Sequence, residues 1–243
     1  MTLEELAQQA RADLPPVGAV VRWMHCDTMP AARLAVWRQL LNAEEIARAD
    51  RFYFAPDRET FIVAHALTRS LLSCFACVPP EAWCFVAGPH GRPALDPAFG
   101  TLGLHFNLSH TTGLVACAVA RHEVGVDVES IERRAASNGI AERFFTPAEV
   151  SLLDAHPPEQ QREAFFRLWT MKEAVMKAMG LGFQLPLDEF AVTLAPLGVH
   201  FEPARADNTT DWSFGQQRAG PHHMLAVALR AGGPAVFDIA EIE

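Results

Sequence analysis

The spacing of apolar residues predicts helices in two parts of the chain. Between residues 60 and 77 apolar positions recur every three or four residues, which is the period of a helix with one buried face. A similar stripe precedes Gly180 and consists of Leu168, Met171, Val175 and Met179. Both segments are therefore predicted to be helices that pack one face against a core.

Shorter apolar segments predict strands. Residues 104–108 and 114–120 are apolar runs of strand length, and residues 109–113 between them are expected to form a hairpin turn. Residues 124–128 alternate between valine and small or acidic residues, which is typical of a further strand with one buried face.

The two halves of the chain share a pattern. Residues 115–132 resemble residues 225–243, and each half has an Arg-Phe aromatic motif before its helical segment. We interpret this as an ancient duplication and expect two similar halves, residues 1–123 and 124–243. Each half is predicted to be a helix packed on a small antiparallel sheet, in an α+β fold.

Composition excludes several classes of protein. Half of the 243 residues are hydrophobic, which suffices for a substantial core, but no apolar run is long enough to cross a bilayer. The N-terminus is acidic and lacks the apolar segment of a secretory signal, so we expect a cytoplasmic protein. The net charge of −9 argues against nucleic acid as a partner, because phosphate backbones bind basic surfaces.

Two carboxylates share one face of the strand at residues 124–128. Asp127 and Glu129 lie two positions apart and point away from the apolar face, beside Gly125. Hard oxygen ligands of this kind suit Mg²⁺, although the solvated face of an edge strand would look the same. The equivalent positions of the second half, Asp238 and Ala240, retain only one carboxylate.

Both lysines of the chain lie on the helix that precedes Gly180. Trp169, Glu173 and Lys177 occupy one face of this helix, and Lys172 lies at the border of that face. Glu173 and Lys177 could form an ordinary surface ion pair. However, a third carboxylate beside two lysines is also suited to hold a metal ion and a polyphosphate.

Two turn-like motifs add weaker signals. Ser109 and His110 are expected where a strand ends, and their side chains and backbone N–H groups could bind an anion there. Arg92 is expected to lie in a Gly-Arg-Pro turn. Turn residues without a ligand would show the same pattern.

The order of these motifs resembles the surfactin-type 4'-phosphopantetheinyl transferases. The motifs are G-R-P, F-N-L-S-H, G-V-D-V-E, R-F-F and W-T-M-K-E-A-V-M-K, and the resemblance covers residues 51–192. It implies the fold of that family, a pseudo-dimer of two α+β halves in one chain with a single active site in the cleft between them.

The resemblance also implies a reaction. The 4'-phosphopantetheine group of coenzyme A would be transferred to a serine of an acyl-, peptidyl- or aryl-carrier protein, with release of 3',5'-ADP. Asp127, Glu129 and Glu173 would bind Mg²⁺, for which Mn²⁺ could substitute. The catalytic residues would be Glu173, as base for the serine proton, with Lys177 and Asp127.

Coenzyme A is expected to contact several further residues. Ser109, His110, Lys172 and Lys177 would lie near its phosphates, and Arg92 near its adenine end. The 3'-phosphate would bind basic residues of the first half, for which the candidates are Arg48, Arg51, Arg58 and Arg69. His65 stands where many relatives have arginine.

The carrier protein is expected to dock on residues 131–145. This segment contains Arg133, Arg134 and Arg143 with Ile140 and Phe144, which would suit an acidic carrier. Because one chain would contain both halves of the pseudo-dimer, we expect the protein to be a monomer. Two alternatives remain open: another Mg²⁺-dependent nucleotidyl or phosphoryl transferase, and a non-catalytic module that binds coenzyme A or a carrier.

Overall fold

The computed structural model of the chain describes residues 13–27, 29–88, 91–132, 139–182, 185–201 and 212–242. Its helices in these ranges are α1 (Ala31–Arg38), α2 (Ala43–Ala49), α3 (Ala55–Ser73), α4 (Ile140–Phe144), α5 (Pro147–Asp154) and α6 (Pro158–Met179). Its strands are β1 (Gly18–His25), β2 (Phe85–Ala87), β3 (Pro93–Leu95), β4 (His105–Thr111), β5 (Leu114–Ala120), β6 (Glu123–Ser130), β7 (Phe190–Leu194), β8 (Leu197–Phe201), β9 (Trp212–Ala219), β10 (His223–Arg230) and β11 (Val236–Glu241). Within the ranges described, no helix is both long and apolar enough to cross a membrane.

Two sheets form the centre of the molecule. The first has the strand order β11-β1-β5-β4 and the second has the order β6-β10-β9. Helix α3 packs on the first sheet and helix α6 on the second, so the four layers follow the order helix, sheet, sheet, helix. The α+β prediction is confirmed, with one difference in detail, because β1 and β11 run parallel within the first sheet.

The apolar face predicted for residues 124–128 packs between the two sheets. Val124, Val126 and Val128 are fully buried there, against alanines of β5 and apolar residues of β10. The opposite face of β6 is covered by α6, and this places Asp127 and Glu129 beside that helix. Burial of the valines thus fixes which side chains β6 turns toward the site.

A pair of matching helix starts supports the duplication. Asn42 begins α2 with a capping box closed by Glu45, and Thr146 begins α5 with a capping box closed by Glu149. Each glutamate also pairs with a buried cation on the long helix of its own half. These pairs are Glu45 with Arg69 at 2.7 Å and Glu149 with Lys172 at 2.9 Å.

The last strand of the second half belongs to the sheet of the first half. Strand β6 pairs with β10, and β11 returns to pair with β1. The division into residues 1–123 and 124–243 stays a prediction. Strand β11 belongs to the second half by sequence but lies in the first sheet. Arg22 Nη2 of β1 forms an ion pair with Asp238 Oδ2 of β11 at 2.7 Å. The carboxylate equivalent to Asp127 is therefore paired within the first sheet.

The hairpin between β4 and β5 is tighter than the sequence predicted. Strand β4 continues to Thr111, and Gly113 lies in the turn with a φ of 80°. Ser109 and His110 are therefore strand residues and not turn residues, because the strand register with β5 extends through both. The predicted helix at residues 60–77 begins earlier, at Ala55.

Candidate functional site

A cavity of about 310 Å³ lies where β4, β6 and α6 meet. Most of its lining consists of polar side chains that the sequence had singled out. They are Ser109 and His110 from β4, Asp127 and Glu129 from β6, and Trp169, Glu173 and Lys177 from α6, together with Leu108. The structure therefore brings seven residues that the sequence analysis had named together at this cavity.

Gly125 allows α6 to approach β6 closely enough to form this cavity. A Cβ atom at this position would lie 2.0 Å from the Ala174 carbonyl oxygen and 2.5 Å from the Ala178 nitrogen. Only glycine permits such contact between the backbones of the two elements. The space beside Gly125 is filled by the helix itself.

Lys177 is the centre of a hydrogen-bond network at the floor of the cavity. Its Nζ donates to Asp127 Oδ1 at 2.7 Å and to Ser109 Oγ at 2.9 Å. Ser109 Oγ in turn donates to Asp127 Oδ1 at 3.0 Å. The ammonium group is only partly buried, so it remains able to face an anion in the cavity.

The carboxylates fit a hard divalent cation. Asp127 is 4% exposed, and among the described residues its Oδ2 is buried with no hydrogen-bond partner. A buried oxygen of this kind costs free energy unless a cation or donor completes it. Within the described ranges, no group of three or more Asp, Glu, His or Cys side chains is placed to hold a metal ion by itself, so a cation here would also need oxygens from a substrate or solvent.

The environment of the cavity shifts two pKa values. Burial, together with the negative charges of Asp127 and Glu129, raises the pKa of Glu173 to about 7. Burial and the nearby charge of Lys177 lower the pKa of His110. Glu173 therefore titrates near neutral pH, whereas His110 favours its neutral form.

A second cavity of about 300 Å³ adjoins the first and has a more apolar lining. Leu108, Glu173 and Lys177 line both cavities. The additional lining comes from Gly91, Arg92, Pro93, Asn107, Met176, Gly180 and Gly182. The two cavities together can hold a ligand with an anionic part and an apolar part.

Arg92 lies at the second cavity, but its guanidinium binds the protein backbone. It donates to carbonyl oxygens of Phe106, Val124, Lys177 and Ala178. Burial lowers the pKa of this guanidinium. These hydrogen bonds join β4, β6 and α6, and the expected place of Arg92 near the adenine end of coenzyme A stays a prediction.

Lys172 is on the other side of α6, away from the cavity. Its side chain is fully buried, and Nζ binds Glu149 at 2.9 Å and the carbonyl oxygens of Leu187 and Phe190. The sequence predicted Lys172 at the border of the polar face of the helix. In the structure its side chain points into the core, because it pairs there with the buried carboxylate of Glu149. A phosphate contact by Lys172 is therefore not retained.

The arginines proposed for the 3'-phosphate occupy different environments. Arg69 is fully buried and binds Glu45 and the carbonyl oxygens of Pro80 and Trp83, so it is not available to a ligand. Arg51 is exposed and lines neither cavity. Arg48 lies over the ring of Phe61 at 5.3 Å.

The expected carrier surface is described only in part. Arg133 and Arg134 lie outside the described residues. Arg143 stacks over Phe144 at 5.1 Å, and Phe144 meets Trp169 edge-on at 6.0 Å. Because Trp169 lines the first cavity, this part of the surface adjoins the site.

Two residues of the site were not singled out from the sequence. Asn107 Oδ1 accepts a hydrogen bond from the Val126 nitrogen at 2.9 Å, and Thr111 Oγ1 donates to Glu129 at 3.3 Å. Both lie on the same face of β4 as Ser109, which accepts from the Val128 nitrogen. Period-two alternation through F-N-L-S-H-T could have found them.

Two family models match the chain over adjacent ranges. The model described as "4'-phosphopantetheinyl transferase, N-terminal" matches residues 29–122. The model described as "4'-phosphopantetheinyl transferase superfamily" matches residues 123–228. Together the two models cover most of the chain, including every residue of the first cavity.

Curated proteins give the same result. The chain is 36% identical to the 4'-phosphopantetheinyl transferase HetI of a Nostoc species over 205 residues, which is 84% of each protein. It is 35% identical to a 4'-phosphopantetheinyl transferase of Bacillus subtilis over 63% of this chain and 66% of that protein. It is also 37% identical to the Escherichia coli 4'-phosphopantetheinyl transferase AcpT over 51% of this chain and 60% of that protein.

Proposed function

Because the chain belongs to the 4'-phosphopantetheinyl transferase superfamily, we propose that it transfers phosphopantetheine from coenzyme A to a serine of a carrier protein. The observation that carries the proposal is the convergence of Asp127, Glu173 and Lys177 on one cavity. These groups supply the negative and positive charges that a diphosphate with a divalent cation requires.

The paired cavities suit the two chemical parts of coenzyme A. The diphosphate would lie in the first cavity, within reach of Lys177, Ser109 and His110. The nucleoside would lie in the second, more apolar cavity beside Arg92 and Met176.

The reaction is an in-line phosphoryl transfer. The carrier serine oxygen forms a bond to the β-phosphorus of coenzyme A, the phosphoanhydride bond breaks, and 3',5'-ADP leaves with the electron pair of that bond. Lys177 neutralises negative charge that develops on the diphosphate oxygens, and its contacts to Asp127 and Ser109 hold it in place beforehand.

We propose Mg²⁺ as the cation, held by Asp127, Glu129 and Glu173. The orphaned Asp127 Oδ2 is the observation that supports a cation at this place. Bound Mg²⁺ would withdraw charge from the diphosphate and so assist departure of 3',5'-ADP.

Glu173 is the proposed acceptor of the serine proton. The Glu173 carboxylate lines the first cavity, within which the serine would react. In the protein without a bound cation, burial raises its pKa to about 7. If Glu173→Gln bound coenzyme A and Mg²⁺ normally and kept its full rate of transfer, this role would be wrong.

The carrier is proposed to dock on residues 131–145. Arg143 and Phe144 present a cation and an aromatic ring beside Trp169 at the cavity. Reversing Arg133 and Arg134 to glutamate should raise the KM for the carrier at least about 10-fold and leave that for coenzyme A unchanged. An unchanged carrier KM would exclude this surface.

The reaction itself is tested by intact-mass analysis of an apo-carrier protein. The carrier would be incubated with the enzyme, coenzyme A and Mg²⁺, with and without EDTA. A gain of phosphopantetheine mass that EDTA abolishes is expected. Coenzyme A binding without transfer to carriers of several pathways would favour a non-catalytic binding module, and nucleotide hydrolysis without a carrier would favour another phosphoryl transferase.

We place the reaction in the cytoplasm, where coenzyme A is available, and propose that the enzyme acts as a monomer.

A further inference from the structure

We infer that Arg92 is a positioning residue, which fixes Lys177 and the contact between β4 and β6, and that it does not bind substrate directly. The inference deepens the proposed function and rests on it for the part played by Lys177. It differs from the expectation that Arg92 serves as a cationic contact for coenzyme A.

The geometry of the guanidinium leaves little capacity for a ligand. Nη2 donates to the carbonyl oxygens of Phe106 at 3.1 Å and Val124 at 3.0 Å, and Nη1 donates to those of Lys177 and Ala178. The four terminal hydrogens therefore meet four carbonyl oxygens, and only Nε–H remains for another acceptor. Among the described residues, no carboxylate lies within ion-pair distance of Arg92.

Two of the four carbonyls lie at a helix end, where a cation is stabilising. Lys177 and Ala178 belong to the last turn of α6, where carbonyl oxygens lack the usual partner four residues on, and the Lys177 oxygen accepts from the Gly180 capping nitrogen at 3.3 Å. A positive charge there also interacts favourably with the helix dipole. Gly180 ends the helix in a left-handed conformation with φ 67°, and a Cβ atom at this position would lie 3.5 Å from Nη1. Arg92 thus occupies the helix end together with the glycine cap.

Each carbonyl lies close in sequence to a group of the first cavity. Phe106 precedes Ser109 by three residues on β4, and Val124 precedes Asp127 by three residues on β6. Lys177 itself supplies both a carbonyl to Arg92 and its Nζ to Asp127 and Ser109. One guanidinium therefore ties together the backbones of all three elements that carry the network.

The strands β4 and β6 particularly need such a link. They belong to different sheets and do not pair through a backbone ladder. Their described hydrogen bonds run from the side chains of Asn107, Ser109 and Thr111, and Arg92 adds a bridge between their carbonyls. The planar fork of arginine spans this distance, whereas the single nitrogen of lysine cannot reach all four oxygens.

The test compares Arg92→Met and Arg92→Lys in wild-type and Lys177→Met backgrounds. Arg121→Met is the matched control, because Arg121 also donates to a backbone carbonyl, that of Leu102, but is exposed and outside both cavities. Measurements are kcat and KM for coenzyme A, with thermal stability to show that each variant folds.

Arg92→Met should lower kcat about 10- to 100-fold, as expected for a small misplacement of a charge-stabilising group. The KM for coenzyme A should change by less than about 3-fold, and Arg92→Lys should recover part of kcat. In the Lys177→Met background the same change should cost less than about 3-fold, because the residue it acts through is gone. An unchanged kcat with a raised KM, equal in both backgrounds, would instead identify a direct substrate contact and overturn the inference.

A second readout does not depend on activity. The chain has only two lysines, so protein labelled with ¹³C at lysine Cε should give two side-chain NMR signals, which Lys177→Met would assign. Arg92→Met should shift the Lys177 signal and leave that of buried Lys172 in place. An unmoved Lys177 signal would overturn the inference even if transfer is observed, whereas a shifted signal without any transfer in wild type would count only against the proposed function.

Discussion

Glu173 carries an electrostatic cost in the folded protein. Burial and the charges of Asp127 and Glu129 raise its pKa from 4.5 to about 7. Between these two values the folded state binds more protons than the unfolded state, so the free energy of unfolding falls as pH rises. The site is thus stabilised when Glu173 is protonated and destabilised when it is ionised without a cation.

The corresponding prediction concerns stability without divalent ions. Wild-type protein should lose at most about 3 kcal/mol from this group between pH 4.5 and pH 7.5, and Glu173→Gln should lack that part of the pH dependence. Denaturant unfolding at several pH values in EDTA would measure the difference. Identical pH profiles for the two proteins would show that the pKa of Glu173 is not raised.

The two lysines differ in their surroundings and should differ in their effects. Lys172 is fully buried against Glu149, so Lys172→Met leaves a buried carboxylate unpaired and should cost about 3–5 kcal/mol of stability. The folded fraction should bind coenzyme A within about 3-fold of wild type. Lys177→Met should instead weaken coenzyme A binding at least about 10-fold. Calorimetric titration and denaturant unfolding separate the two effects, and a Lys172→Met protein that is stable but cannot bind would contradict this assignment.

At the scale of elements, the contact between β6 and α6 determines whether a site exists. A Cβ atom on Gly125 would collide with backbone atoms of Ala174 and Ala178, which cannot move without shifting the helix. Gly125→Ala should therefore destabilise the protein by at least about 2 kcal/mol and separate Asp127 from Lys177.

Gly100→Ala is the matched control for this change, because a Cβ atom there meets nothing within 4 Å. Circular dichroism melting and the transfer assay would measure both variants. Loss of transfer with Gly125→Ala and retention with Gly100→Ala are expected. Equal stability of the two variants would show that α6 can move away from β6 at little cost.

At the scale of the whole molecule, strand β11 and the apolar layer between the sheets make each half depend on the other. Strand β11 completes the first sheet beside β1, β6 completes the second sheet beside β10, and a common apolar layer lies between the sheets. A half expressed alone would expose that layer and an unpaired sheet edge.

We therefore expect residues 1–122 and 123–243 to be largely unfolded or aggregated when expressed separately. Expression of both together should recover part of the folded protein and of its transfer activity. Circular dichroism and size-exclusion chromatography would show this. A separate half that melts cooperatively would mean that the contact between the sheets is not needed for folding.

Much of the site was predictable because it depends on local periodicity. Alternation in β6 placed Asp127 and Glu129 on one face, and helical spacing in α6 placed Glu173 and Lys177 together; both arrangements are observed. The resemblance to a family and the α+β fold were confirmed as well. The exact end of β4 was not predictable, since pairing with β5 extends it. The start of α3 at Ala55 was not predictable either, because it precedes the apolar stripe.

What the sequence by itself determined was which faces are apolar, where charged residues cluster, and the likeness between the halves. Only the tertiary structure decided that the side chain of Lys172 is buried against Glu149 and that Arg92 donates its hydrogen bonds to four backbone carbonyls. It also decided that Gly125 lets the backbone of α6 contact that of β6. The reason is physical. The partner of a buried charge lies far away along the chain, and the desolvation that makes the pairing necessary arises only once the elements have packed.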